Sequence, residues 1–84
     1  MPQLNTIAFL VENKTGVLFQ VSNMFRRRGF NIESISVGPI EGRQISRMTV
    51  AVYADNRELN QIVLQLEKMV DVIKVKRLDP MRSI

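Results

Sequence analysis

Four stretches of this chain repeat their apolar residues every second position, and two repeat them at helical spacing. The order of these stretches leaves little choice of fold. In residues 4–12, LNTIAFLVE, Ile7, Phe9 and Val11 share one face of an extended chain, and Thr6, Ala8 and Leu10 the other. Residues 17–28 change period: Val17, Leu18, Val21, Met24 and Phe25 make one stripe of an amphipathic helix. Thr15 is the expected N-cap of that helix. Arg26, Arg27 and Arg28 crowd its last turn, where cations favour the dipole, and Gly29 supplies a left-handed stop.

Residues 31–38, NIESISVG, return to period two with Ile35 and Val37 aligned, and GPIEGR reads as a loop. In residues 45–54, Met48, Val50 and Val52 face one way, and Arg47, Thr49, Ala51 and Tyr53 the other. Asp55 opens a second helix with Glu58 three residues on, a capping-box pattern, and Leu59, Ile62, Val63 and Leu66 form its stripe. Residues 69–78, MVDVIKVKRL, close as a strand in which Ile73 and Val75 alternate with Lys74 and Lys76. The order is β-α-β-β-α-β. It predicts an α+β, ferredoxin-like domain: a four-stranded antiparallel sheet with two helices on one face. Residues 1–78 make one domain and residues 79–84, DPMRSI, a loose C-terminal tail.

At 84 residues the core is small, and roughly 60–65% of the unfolded surface can be buried. There is no cysteine to cross-link it, which leaves tight packing or self-association as sources of further stability. With neither cysteine nor histidine, zinc sites of the usual kind are out. No serine sits in a nucleophile elbow, and the glycines at 16, 29, 38 and 42 lack the spacing of a phosphate loop or dinucleotide fingerprint. The chain reads as a binding or regulatory module without catalysis, cofactor or metal. The longest apolar run, IAFLV, is five residues against the roughly 20 of a membrane span, so a cytoplasmic location is expected.

The net charge of +4 is a mild excess that a solvated surface explains. RNA-recognition modules share this topology but stack bases on aromatics of the central strands. Here the outward residues of 45–54 offer Tyr53 alone, so nucleic acid is not expected as a partner.

ENKTGVL, residues 12–18, gathers an acid, an amide, a base, a hydroxyl and a glycine at one strand-to-helix corner. A helix start presents backbone N–H groups and a partial positive charge, suited to a small carboxylate. Gly16 leaves room for its approach, and Asn13 can both donate and accept, as a zwitterion requires. A simple capped turn uses some of the same residues.

FLVENKTGVLFQVSNMFRRRGFNIESISVGP, then SRMTV and LEKMVDVIKV, closely resembles the regulatory (small) subunit of acetolactate synthase, also called acetohydroxyacid synthase. More broadly the chain is similar to ACT domains, amino-acid-sensing modules of this fold; the match runs from about residue 5 to residue 78. The resemblance implies a non-catalytic subunit that binds a branched-chain amino acid, usually valine, confers feedback inhibition on a separate catalytic large subunit, and stimulates it. It also implies ACT domains paired side by side, as a homodimer or higher oligomer, with the effector at their interface. The family's ligand loop matches Asn13, Lys14, Thr15, Gly16, Val17 and Leu18, and its R-G-[FY]-N-[IV]-E asparagine matches Asn31, with Ile32 beside it. Asn31 would face the partner's loop, or merely cap its strand. Many members continue into a second domain where this chain stops, through truncation or a naturally short form. Two other readings stand beside this one: an ACT sensor for another enzyme or a transcription regulator, and a nucleic-acid-binding module.

Overall fold

A computed structural model describes residues 3–14 and 16–78. The elements follow in the order β1 (Gln3–Glu12), α1 (Val17–Arg27), β2 (Asn31–Pro39), β3 (Ile45–Ala54), α2 (Asn56–Glu67) and β4 (Val72–Leu78). The strands form one sheet in the order β2-β3-β1-β4, and every neighbouring pair is antiparallel. This is the ferredoxin-like arrangement expected from the order of periods. The proposed tail, residues 79–84, lies outside the described residues.

The two central strands carry the cleanest alternation. Ile7, Phe9 and Val11 of β1 and Met48, Val50 and Val52 of β3 are buried against the helices, while their odd-facing neighbours are half-buried or exposed. Val17, Val21, Met24 and Phe25 of α1 and Leu59, Ile62 and Leu66 of α2 complete the same core. Each such side chain contributes about 1.5–3 kcal/mol when fully buried. Neither edge strand supplies a fully buried residue: the core is centred over β3 and β1, Ile32 of β2 and Val72 and Val75 of β4 pack against its margins, and the β2 edge leaves Ile35 and Val37 partly uncovered.

Both helices end as their sequences dictate. Asp55 accepts from the Glu58 backbone N–H at 2.8 Å, and Glu58 Oε1 accepts from the Asp55 N–H at 3.0 Å, a complete capping box. At the end of α1, Gly29 adopts φ +71°. Its N–H donates to Arg26 O at 3.1 Å, and that of Phe30 donates to Phe25 O at 3.2 Å. This paired geometry is a Schellman stop, and the Phe25 and Phe30 rings meet edge-on at 6.1 Å as its apolar clasp.

Four expectations are corrected. The residue flanking the start of α1 is Gly16, at φ +94°, with no side-chain cap, so the helix begins on a left-handed glycine. Thr15, the expected cap, lies outside the described residues. Leu18 is 45% exposed, because neighbours on a helix point about 100° apart and Val17 takes the inward direction. β4 starts at Val72, since residues 69–71 form a turn closed by the Val72 N–H on Met69 O at 3.2 Å. β2 runs on through Pro39, and the turn after it is drawn tight by Ile40 N–H to Ile45 O at 2.9 Å.

Candidate functional site

The ENKTGVL corner lies where β1 leaves the sheet. The Asn13 N–H donates to Gln44 O at 2.9 Å and the Lys14 N–H to Glu12 O at 2.9 Å, so the first tie runs to the β2–β3 turn. Lys14 Nζ reaches Asp71 Oδ1 at 3.3 Å, at the start of β4. An exposed pair of this kind is worth about 0–1 kcal/mol, so the backbone bonds do most to fix the corner. Asp71 and Gln44 are tethers that no local motif announces, because both come from distant parts of the chain.

From this corner α1 sets off with its Val17 N–H on Lys14 O at 3.2 Å and the Gln20 N–H on Gly16 O at 3.0 Å. A Cβ built on Gly16 would meet nothing within 4 Å. The start of α1 presents backbone N–H groups and the partial positive charge of the helix's amide dipoles. Asn13 is exposed and available, Val17 is buried in the core, and Leu18 lies on the surface. Lys14 is turned toward Asp71.

Asn31 and Ile32 are placed elsewhere. Asn31 is exposed and pairs with Tyr53, at the end of the sheet away from the corner; Ile32 is half-buried against the core. The corner lies at the other end of β2, where Pro39 pairs with Ser46. The nine residues of β2, at about 3.3 Å each, put roughly 26 Å between its ends. One chain therefore does not bring Asn31 to Gly16.

The uncovered edge bears on that separation. Ile35 and Val37 pair with Val50 and Met48, whose side chains point to the helices, yet they remain 40% and 44% exposed. On α1, Met24, Arg27 and Arg28 share a cleft with Gln61 and Gln65 of α2. The helical wheel then puts Leu18 and Ser22 on the opposite flank, toward β2. Leu18, Ile35 and Val37 thus make an apolar strip along the free edge.

The sequence model described as "AHAS small subunit-like ACT domain" matches residues 7–74. The chain is 48% identical over 83 residues to the acetolactate synthase small subunit of Mycobacterium avium, covering 99% of this chain and 50% of that protein. It is 49% identical over 71 residues to that of Mycolicibacterium smegmatis, covering 84% of this chain and 42% of that protein. Among solved structures, the acetolactate synthase small subunit of Thermotoga maritima superposes with a TM-score of 0.88 at 42% identity, covering 95% of this chain and 50% of that one. The ACT domain of a GTP pyrophosphokinase from Chlorobium tepidum shares the fold, with a TM-score of 0.79 at 23% identity, 93% of this chain and 100% of that one. The chain spans about half the length of the curated relatives it matches. In sequence over nearly its whole length and in fold, the chain belongs to the family of ACT domains found in acetohydroxyacid synthase small subunits.

Proposed function

We propose that this chain is a non-catalytic regulatory subunit that binds a branched-chain amino acid, valine in the first instance, between two copies of itself. Bound there, the effector conveys feedback inhibition to a separate acetolactate synthase catalytic subunit, which the chain also stimulates when unliganded. The single observation that supports this most is the separation of the family's ligand residues to opposite ends of β2. An antiparallel pairing of β2 with β2 of a second copy, about a two-fold axis near Ile35, sets each Asn31 beside the other chain's corner.

The two edges of the sheet favour β2 for that pairing. β4 carries Lys74, Lys76 and Arg77, charges that discourage edge-to-edge association. β2 has a register shift between Ile32 and Ser34 and ends on Pro39, yet from Ser34 to Pro39 it is uncharged, and the apolar Ile35 and Val37 stay 40% and 44% exposed. In the paired form the effector's carboxylate lies at the first turn of α1 in front of Gly16, with Asn13 and the second copy's Asn31 on its polar groups. Leu18 and Ile32 are the apolar side chains available to its branched end. Because the ligand stabilises one arrangement of the pair, it biases the bound catalytic subunit by the same coupling free energy, typically about 1–3 kcal/mol.

Calorimetric titration with valine, leucine and isoleucine tests this, together with thermal melts. A ligand at 100 times its dissociation constant adds about 2.7 kcal/mol of stability, a rise of several degrees or more in Tm for a domain this small. Absence of any shift with all three amino acids at millimolar concentration would contradict the sensing role.

A further inference from the structure

We propose that the open face of the sheet, turned away from both helices, is where this chain grips an acidic surface of its catalytic partner; this rests on the regulatory reading above. The strand register gathers cations there. Leu10 pairs with Arg47 on one side and Lys74 on the other, and Ala8 pairs with Thr49 and Lys76. Arg47, Lys74 and Lys76 are exposed, while Ala8, Leu10 and Thr49 are half-buried between them. Arg47 and Lys74 rise from strands two apart, roughly 10 Å, and Lys76 stands roughly 7 Å along the edge from Lys74.

Little on this face answers that charge. The acids nearest in register are Glu12, two residues beyond Leu10 and half-buried, and Asp71, which faces it across a 2.8 Å backbone bond at the same margin. Among the described residues the salt bridge present joins Lys14 to Asp71, at the corner. Separations of 7–10 Å are about one Debye length at physiological salt, so the three cations act together on a partner.

Charge selects the occupant. A second copy stacked face to face would set cations against cations. A single-stranded nucleic acid needs aromatic platforms, and Tyr53, paired with Leu4 at the far end of the face, stands apart from the cations. A polypeptide surface bearing carboxylates about 7–10 Å apart meets all three charges, and the small Ala8 and Thr49 leave a shallow floor for it.

The test uses the whole chain and the acetolactate synthase catalytic subunit. Affinity is measured over a series of sodium chloride concentrations for wild type, for R47E/K74E/K76E and for the milder K74Q/K76Q. The expected result is affinity that falls as salt rises, a loss of more than about tenfold in the charge-reversed variant, and a smaller loss in the neutral one. Valine binding should be unchanged in both, since these residues lie off the corner. If the triple variant does not fold, K74Q/K76Q and the wild-type salt series decide. Wild-type binding that is insensitive to salt and to these substitutions overturns the docking surface and leaves the regulatory reading standing. Failure of wild type to bind the catalytic subunit at all overturns both. Tighter binding to a single-stranded oligonucleotide than to the catalytic subunit overturns the choice of partner.

Discussion

Gly16 carries the corner through its backbone rather than through what surrounds it. At φ +94° an L side chain is strained, although a Cβ there would meet no atom within 4 Å. Gly16→Ala should therefore cost about 1–2 kcal/mol from conformation alone. Gly38, equally open but without positive φ, provides the control: Gly38→Ala should lie within about 0.5 kcal/mol of wild type. Denaturant melts of the two variants check this, and equal stabilities would contradict the left-handed corner. Gly16→Asp carries the same backbone cost and adds a carboxylate where the effector's own should sit. It should lose valine binding beyond whatever Gly16→Ala loses, and titration of both variants separates the two effects. The sequence pointed to this corner, but not to which residue turns it. Thr15 has the chemistry of a cap and Gly16 the conformation. In the same way, Val17 and Leu18 both fit an apolar stripe on paper, and the helix can turn only one of them fully inward.

Elements were legible wherever their period was set by one buried face. β1, β3 and α2 have that property, and so does α1 apart from its first turn. In α2, Ile62 is fully buried and Leu64 is 54% exposed. Ile62→Ala should cost about 2–5 kcal/mol and Leu64→Ala no more than about 0.5 kcal/mol, read from urea midpoints. Breaking the capping box with Asp55→Ala should cost about 1 kcal/mol. β2 was legible as a strand but not as a partly uncovered one. Period two in Ile35 and Val37 looks the same whether a helix or another chain covers them, and only their 40% and 44% exposure in the folded chain shows that the helices cover them in part. That exposure supports a further prediction. Val37→Lys places a charge on the apolar strip without touching the core, so it should leave the monomer's circular dichroism intact and abolish association of copies in sedimentation. An unchanged association would mean that copies meet by another surface.

For the whole molecule, the order of periods carried the fold, and the family resemblance carried both the ligand residues and the expectation that Asn31 faces a second copy's loop; what neither revealed is that one chain keeps Asn31 and the corner at opposite ends of β2. That follows from topology. β1 delivers the corner to one end of the sheet, and β2 begins with Asn31 at the other. The central claim is that two copies complete each site, and mixing two defective chains tests it most directly. Gly16→Asp spoils the corner half, and Asn31→Asp spoils the other half with a misplaced charge. Each variant alone should fail to bind valine. In a mixed pair built across β2, one site combines both defects, and the other combines the intact corner of one chain with the intact Asn31 of the other. Calorimetric titration of the re-equilibrated mixture should recover valine binding at wild-type affinity, with one competent site per mixed pair. If the mixture binds no valine although mixed pairs demonstrably form, the site does not span two copies and this account of the regulator is wrong.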